Sequence, residues 1–324
     1  MNWQPGAAPA VLALRARLLQ RTRAFFQARA LLEVDPPQLV QTPVSDPQID
    51  SLSVSDQQGR PLGYLQTSPE YCMKRLLAAG SPDLYSIAHV FRGGERGRRH
   101  LAEFTLVEWY RRGFTLDEIM DETAALFASL AQAAGRGRPP VLRLRYAEAF
   151  QELTGIDPRQ AETRELIELA GRHPAIGAGP SLSAALGDDR PAWLDLIASH
   201  LLLPSLPPDH CVLLSHYPAC QAALARLTPG EPEVAERFEM FYAGMELANG
   251  YRELTDPVEQ RRRISGDRRR RAALGLTDVP PDERLLAALE HGLPECAGVA
   301  LGFDRTLMAL LGVDDIRQVI CFEA

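Results

Sequence analysis

Residues 91 to 110, FRGGERGRRHLAEFTLVEWY, join an arginine-rich turn to a segment with strict alternation of side chains. Successive side chains of a strand point to opposite faces, so Phe104, Glu108 and Tyr110 share one face. A carboxylate and a phenol therefore lie beside an aromatic ring. Arg92 lies at the start of the turn. Because the turn between the two strands is rich in arginine, the pattern predicts that it binds an anion.

The composition is that of an ordinary globular protein, with 324 residues, 46% hydrophobic and 24% charged. The net charge of -7 argues against broad electrostatic adhesion to nucleic acid or to an anionic membrane. No basic segment followed by an apolar run opens the chain, and no window approaches about 18 apolar residues. We therefore predict a cytoplasmic protein with no membrane contact. Five scattered cysteines show no zinc-ligand spacing.

Two helices are predicted in the first quarter of the chain. Residues 10–31 have apolar side chains at helical spacing and end before two prolines. A second helix is predicted after Ser68 as N-cap, with Pro69 at its first position and Gly80 after its last turn. A third helix should begin at Thr115.

The later sequence predicts an insertion and a carboxylate-bearing hairpin. Residues 141–209 have the pattern of helices separated by Gly and Pro turns, inserted between two parts of one sheet. Beyond them Glu239, Glu246 and Glu253 recur every seven residues. A turn or bulge near residues 243–244 would let strands bring them together, whereas two glycines weaken the helical alternative.

The C-terminal part carries two further patterns. Residues 259–275 predict an exposed, arginine-rich pair of helices. The arginine run at 261–271 is more often a solubilising face than a binding patch. Residues 298–312 predict a strand of small residues, a turn, and a helix beginning near Asp304.

Arginines and carboxylates in separate segments together match a metal-bound polyphosphate. Arg92 and Arg305 can neutralise phosphate oxygens with their planar guanidinium groups. Glu239 and Glu246 can hold magnesium, which prefers hard oxygen ligands. There is no P-loop sequence, so a phosphate site of that kind is excluded.

Five stretches stand in a specific order along nearly the whole chain. They are Pro37 after the first helix, TSPEYCMKRLL (67–77), FRGGE…EFT…EWY (91–110), GMELANGYRELTD (244–256) and GVALGFDR (298–305). This series resembles motifs 1, 2 and 3 of class II aminoacyl-tRNA synthetases of the lysyl branch. The fold implied is α+β, a mostly antiparallel sheet flanked by helices in one domain over 1–324, which dimerises through motif 1.

Within that branch the chain is similar to the shorter ligases that attach (R)-β-lysine to a lysine of elongation factor P. It begins directly with the motif 1 helix, so we expect no anticodon-binding domain and no tRNA anticodon contact. It also has Ala300 where lysyl-tRNA synthetases have glycine in motif 3. One added methyl group in the amino-acid pocket is worth about 1–3 kcal/mol of discrimination.

The resemblance implies ATP and Mg²⁺ as partners in catalysis, with Arg92, Arg305 and Glu246 as catalytic residues. Magnesium would be bound by Glu239 and Glu246. The implied ATP-binding residues are Arg92, Gly93, Gly94, Glu95, His100, Leu101, Phe104, Glu246, Leu247, Gly302 and Arg305. The residues implied for the amino acid, (R)-β-lysine or lysine, are Ser68, Pro69, Glu70, Glu108, Tyr110, Glu253 and Ala300.

The turn of motif 2 departs from the family pattern. Gly93 and Gly94 replace an Asn-Glu pair, and Leu101 replaces an asparagine. Glu95 would supply the missing carboxylate after a one-residue shift. Alternatives are a catalytically impaired paralogue that serves as a binding or regulatory subunit, and a lysine-activating ligase with another acceptor. The surplus arginines of the turn fit either a solvated loop or a collar for an acidic acceptor.

Overall fold

The computed structural model of the chain describes residues 3–177 and 179–323. It divides into two compact units, residues 1–138 with 253–324, and residues 139–252. Across the described residues, the helices are all too short or too polar to cross a membrane. The prediction of one domain with an insertion at about 141–209 stays a prediction.

The first unit combines two small sheets with helices. Its strands are β1 (Leu32–Glu33), β2 (Leu39–Val40), β3 (Ser53–Ser55), β4 (Pro61–Leu65), β5 (Leu84–Phe91) and β6 (Glu103–Arg112). Its first helices are α1 (Pro9–Gln27), α2 (Glu70–Ala78) and α3 (Leu116–Ala133).

The second unit runs from β7 to β11. Its strands are β7 (Val141–Arg145), β8 (Cys211–Pro218), β9 (Leu227–Thr228), β10 (Glu231–Tyr242) and β11 (Met245–Arg252). Its helices are α4 (Tyr146–Thr154), α5 (Thr163–Arg172), α6 (Pro180–Leu186), α7 (Arg190–Ile197) and α8 (Leu203–Ser205), with a π-helical turn (Ala198–Leu202) and a 3₁₀ turn (Ala219–Gln221).

The chain then returns to the first unit. The remaining elements there are α9 (Pro257–Ala273), α10 (Glu283–Gly292), β12 (Cys296–Gly302), α11 (Phe303–Leu311) and a 3₁₀ turn (Ile316–Gln318).

Pairing in both units is mainly antiparallel, as predicted. In the first unit β5 pairs with β6, and β6 with β12, both antiparallel, while the short β1 is parallel to β5. In the second unit β10 pairs antiparallel with β8 and β11, and β7 is parallel to β8. The α+β fold class is confirmed.

The two faces of β6 have different partners. Trp109 is fully buried against Phe26 of α1, with 5.2 Å between ring centroids, and its indole N–H donates to Glu122 of α3 at 3.1 Å. On the same face the hydroxyl of Thr105 accepts from Arg15 at 2.7 Å. Helices α1 and α3 therefore cover this face, and the face of Glu108 and Tyr110 remains for the site.

Several predicted boundaries were wrong by a few residues. Helix α1 ends at Gln27, because the chain turns at Ala30, which has a positive φ of 58°. Helix α2 begins at Glu70 with Pro69 as its N-cap residue, although the Ser68 hydroxyl does accept a hydrogen bond from the Glu70 backbone N–H at 3.0 Å.

Two pattern interpretations also need correction. The arginine-rich stretch forms one helix, α9, rather than a pair, and Arg271 is buried because its guanidinium donates to the backbone carbonyls of Thr277 and Asp46. Residues 141–145 form a strand, β7, rather than part of the helical region. The predicted capping box of Thr115 and Glu118 is confirmed.

Candidate active site

The floor of the site is one face of three strands in the first unit. Residues paired directly across neighbouring strands point to the same face. Ser86, Glu108 and Ala300 form one row, Leu84, Tyr110 and Gly298 the next, and Ala88, Leu106 and Gly302 the third. Small residues on both sides of Glu108 leave room above the floor.

Glu108 is a buried carboxylate whose two oxygens both accept hydrogen bonds. The Ser68 hydroxyl donates to Oε2 at 2.7 Å, and the Tyr110 hydroxyl donates to Oε1 at 2.7 Å. Ser68 lies just before α2, so this bond ties the start of the helix to the sheet.

A second group of charges lies one turn along α2. The Lys74 ammonium is 2.6 Å from Glu70 Oε1 and 2.6 Å from Glu253 Oε2. The Lys74 side chain is 2% exposed and that of Glu253 is 0% exposed. Besides the Lys74 ammonium, the Gly298 backbone N–H acts on the Glu253 carboxylate and favours its ionised form.

Burial controls the protonation of these carboxylates. It raises the pKa of Glu108 to about 8, an effect that the Glu70 charge increases and the two hydroxyl donors oppose. It also raises the pKa of Glu253 to about 7, where the Lys74 ammonium opposes it. Glu70 and Glu253 share one ammonium, and the charges of both act on the nearby Glu108, so this group of carboxylates is suited to bind cations.

Basic residues converge at the other end of the same face. The Arg92 guanidinium lies 5.1 Å from the centroid of the Phe104 ring, and its Nε donates to the Thr67 carbonyl at 3.4 Å. Arg305 Nε, on the first turn of α11, donates to the Arg99 carbonyl at 3.3 Å. Since Thr67 immediately precedes Ser68, Arg92 joins the basic end to the carboxylate cluster.

His100 lies among these arginines. Partial burial lowers the pKa of His100, and the nearby Arg305 charge lowers it further. Glu95 Oε1 is 3.6 Å from the Arg92 guanidinium, so the two residues form an ion pair within the turn. The structure thus brings the basic turn and the start of α11 together, as the sequence predicted.

The other predicted glutamates lie in the second unit. A hairpin turn at Ala243 and Gly244, both with positive φ, joins β10 to β11, and the register shifts between Met240 and Phe241. The predicted turn and bulge are confirmed, and the helical alternative is wrong. Glu246 is exposed and Leu247 is buried on β11.

Glu239 already has strong partners in this unit. Its Oε1 is paired with the Arg237 guanidinium, and its Oε2 accepts from the Tyr217 hydroxyl at 2.7 Å. The residues described include no cluster of three or more His, Cys, Asp or Glu side chains able to hold a metal ion. Any metal at these glutamates would need further oxygens from a ligand.

A sequence model of the class II tRNA synthetases (D, K and N) matches residues 3–324. The chain belongs to this family. It is 41% identical to an elongation factor P–(R)-β-lysine ligase of Haemophilus influenzae (strain PittGG), over 99% of this chain and 97% of the relative. Ligases of the same name from Photorhabdus laumondii and Vibrio cholerae are 42% and 41% identical over the same shares.

The departure from the synthetase pattern in motif 2 has a structural basis. The Gly93 backbone N–H donates to the Asp50 carbonyl at 2.8 Å, and a Cβ on Gly93 would lie 2.9 Å from Asp50 Cγ. The Asp50 side chain therefore occupies the space into which a side chain at position 93 would extend. Gly94 has a positive φ of 74°, which disfavours the glutamate of the family pattern.

Two residues in contact with this carboxylate group were not singled out from the sequence. Lys74 is one of them, although it is the only lysine of the chain. Gly298 was predicted only as part of a strand of small residues; it lies within β12, where a Cβ would be 2.5 Å from Tyr110 Cδ1 and 2.7 Å from Glu253 Oε1. No local signal could have revealed that close approach.

Proposed function

We propose that this chain is an ATP-dependent ligase that activates (R)-β-lysine or lysine as an aminoacyl adenylate and transfers it to a lysine of elongation factor P. The observation that carries the proposal is the group of carboxylates formed by Glu108 of β6, Glu70 of α2 and Glu253, with Arg92 nearby at the end of β5. Carboxylates bind the amino groups of the substrate, and arginines bind phosphates.

The charge of the cluster supports a substrate with two amino groups. Three carboxylates and the Lys74 ammonium leave a net charge of two negatives when all are ionised. Charge-assisted hydrogen bonds contribute about 1.5–3 kcal/mol each, so two ammonium groups make binding favourable despite the loss of water. The similar ligases, by their name, use (R)-β-lysine and elongation factor P.

Activation would proceed by in-line displacement at the α-phosphorus of ATP. A carboxylate oxygen of the amino acid forms the new O–P bond, and the bond to pyrophosphate breaks. Arg92 and Arg305 neutralise charge that develops on the phosphate oxygens. Phe104 offers a ring face for adenine, and Ala300, directly opposite Glu108 in the sheet, limits the space beside the amino acid.

Magnesium fits the chemistry of the second-unit glutamates. Mg²⁺ prefers carboxylate oxygens and shares its remaining positions with phosphates and water. Glu246 would bind it directly, and Glu239, whose carboxylate is held in place by Arg237 and Tyr217, would provide a further oxygen. When bound, the ion neutralises phosphate charge.

Transfer would follow without a covalent enzyme intermediate. The acceptor lysine amine attacks the carbonyl carbon of the adenylate, a C–N bond forms, and AMP leaves as the amine loses a proton. This reaction would take place in the cytoplasm. The proposal includes a homodimer that forms through α1 and the segment after it. Sedimentation would measure the mass of the particle in solution and so test this.

The test is pyrophosphate exchange into ATP, measured with (R)-β-lysine and with L-lysine, with Arg305→Ala as the blank. We expect exchange that depends on the amino acid and is stronger with (R)-β-lysine. Incubation with elongation factor P should then add the mass of one amino-acid residue to a lysine. Exchange without transfer to this acceptor would favour a lysine-activating ligase with another acceptor.

An impaired paralogue is the alternative that Gly93 and Gly94 favour, since both lack the side chains of the family pattern. If the folded protein neither binds ATP nor supports pyrophosphate exchange, the chain is a binding or regulatory subunit and not a ligase.

A further inference from the structure

Lys74 is unusual both in the sequence and in the structure. The chain has 35 lysine and arginine residues, and Lys74 is the only lysine among them. Its side chain is 2% exposed, and the other permanently charged basic side chains of the protein are all arginines. The sequence thus uses a compact ammonium at one position, inside the carboxylate cluster.

The geometry explains why an ammonium suits this position. The Lys74 nitrogen is 2.6 Å from one oxygen of Glu70 and 2.6 Å from one oxygen of Glu253. An ammonium is a point charge with three donors, whereas the planar fork of arginine is larger and fixed in direction. A single nitrogen between the two carboxylates occupies only one oxygen of each.

We propose that Lys74 is a positioning residue for the amino acid. This internal ammonium holds Glu70 and Glu253 in place and cancels one of the three carboxylate charges, so that the fully ionised pocket offers two negative charges to the two ammonium groups of the substrate. The inference rests on the proposed function. The inference adds to the proposed function, because the charge of Lys74 would determine how many cationic groups the substrate must have.

The surrounding charges support a permanently protonated Lys74. Burial alone would lower the pKa of the ammonium, but the carboxylates of Glu253 and Glu70 outweigh burial and raise it. Tyr71 on α2, Glu108 and Tyr110 on β6, and Cys296 on β12 are the other titratable groups near it. A protonated amine is not a nucleophile, so Lys74 would not react with the adenylate formed nearby.

The single lysine makes a direct measurement feasible in the unmodified protein. Labelling with [13Cε,15Nζ]-lysine gives one side-chain ammonium signal in NMR. We expect this signal to show a protonated amine up to pH 10, near where an exposed lysine titrates at about 10.4. We also expect it to shift on addition of (R)-β-lysine or L-lysine, and to remain unchanged with ATP alone. A signal that titrates below pH 9, or that ignores the amino acid, would overturn the proposal.

Substitution measures the effect on binding and catalysis separately. In Lys74→Met one of the two carboxylates would take up a proton at neutral pH, so the KM for the amino acid should rise by on the order of tenfold or more, with the KM for ATP little changed. The defect should shrink between pH 6.5 and 8.5, as the carboxylate ionises again. Arg75→Met removes a positive charge from the adjacent position of α2 and is the matched control.

A double-mutant cycle with Glu70→Gln tests whether Lys74 acts through the carboxylates. The double variant Lys74→Met with Glu70→Gln keeps the net pocket charge and leaves one unpaired carboxylate, Glu253, where Lys74→Met leaves two, so it should be the more stable of the two variants. We expect its KM to be well below the product of the two single effects. Independent effects that multiply would contradict the proposal.

The outcomes separate this inference from the proposed function. If the wild-type protein shows no exchange with either diamino acid, the proposed function fails. If wild-type exchange is strong and Lys74→Met behaves like Arg75→Met, the ligase stands and the role of Lys74 is wrong.

Discussion

At the residue scale, the site consists of ionisable groups held where water cannot solvate them. Glu108, Glu253 and Lys74 are each at most 2% exposed. A buried charge lowers the stability of the free protein, and a bound ligand of opposite charge compensates for this loss. A substitution that removes such a charge should therefore stabilise the free protein and weaken ligand binding.

Glu108→Gln should abolish binding of the amino acid and stabilise the free protein at alkaline pH. The pKa of Glu108 is raised from 4.5 to about 8 in the folded state, so the folded state binds this proton more tightly than the unfolded chain. The contribution of Glu108 to stability is present below pH 4.5 and is lost as the pH rises through 8. Glutamine does not titrate, so the variant does not lose this stability as the pH rises.

Melting temperatures at pH 5 and pH 9 check the prediction, because each kcal/mol corresponds to roughly 1.5 °C in a protein of this size. The difference between Glu108→Gln and wild type should grow towards pH 9. Glu152→Gln, which changes an exposed glutamate of α4, is the control and should show no such trend. If the melting temperatures of Glu108→Gln and wild type differ by the same amount at pH 5 and pH 9, Glu108 is ionised in the free protein at both pH values.

Gly298→Ala should impair the amino-acid pocket selectively. The new methyl group would lie 2.7 Å from Glu253 Oε1 and closer still to the buried Tyr110 ring. Because the ring cannot retreat, we expect a loss of about 1–3 kcal/mol of stability from overpacking. We also expect a higher KM for the amino acid, with ATP affinity retained.

Calorimetric titration with each ligand distinguishes the two effects. Gly137→Ala is the matched control, since a Cβ there meets nothing within 4 Å. Equal losses of affinity for ATP and for the amino acid would show a general loss of structure instead of a local one.

At the element scale, the pairing of β5, β6 and β12 decides which side chains meet. Because side chains alternate along a strand, a shift of one residue in β12 would exchange Gly298 and Ala300 for Val299 and Leu301 on the site face. The turn between β5 and β6 is held at its start by the Arg92 N–H, which donates to the Ala102 carbonyl at 2.8 Å. The adjoining bond between Gly93 and Asp50 places this turn against the chain before β3.

Restoring the family asparagine by Gly93→Asn should weaken ATP binding. The new side chain would collide with Asp50, whose Cβ would be 3.3 Å and Cγ 2.9 Å from the added Cβ. Combining Gly93→Asn with Asp50→Ala removes the collision and should recover ATP affinity. Gly97→Asn, in the same turn but with open space around it, is the control. Tighter ATP binding by Gly93→Asn alone would contradict this account of the turn.

At the scale of the whole molecule, charge is unevenly distributed. The chain has a net charge of -7, yet the motif 2 turn contains four arginines within eight residues, 92–99. Arg98 is paired with Asp314, and the Arg99 carbonyl accepts from Arg305, so these two are part of the turn's own structure. Arg96 is exposed at the tip and is the residue best placed for a protein acceptor.

Arg96→Glu should slow transfer to elongation factor P severalfold without affecting pyrophosphate exchange, because exchange does not involve the acceptor. The defect should grow at low ionic strength, where charges are less screened. Arg284→Glu, on the exposed side of α10, changes the net charge by the same amount and is the control. Equal transfer rates for Arg96→Glu and Arg284→Glu would favour a solvated turn that does not contact the acceptor.

Much of the site could be predicted because it depends on local order along the chain. The alternation from Phe104 to Tyr110 placed Glu108 and Tyr110 on one face, and the glycines near 243–244 indicated the hairpin that brings Glu246 towards Glu239. Boundaries such as the end of α1 were less certain, because fraying and tertiary contacts decide the last turn of a helix.

The sequence by itself determined the family, the order of the elements and the residues on each face of a strand, because motif order and side-chain periodicity are properties of the covalent chain. Only the tertiary structure decided that Lys74 lies between Glu70 and Glu253, that Asp50 fills the space beside Gly93, and that Gly298 makes room for Tyr110. These contacts join residues distant in sequence. They depend on close packing, where a single carbon atom or charge determines the fit and leaves no periodic trace in the chain.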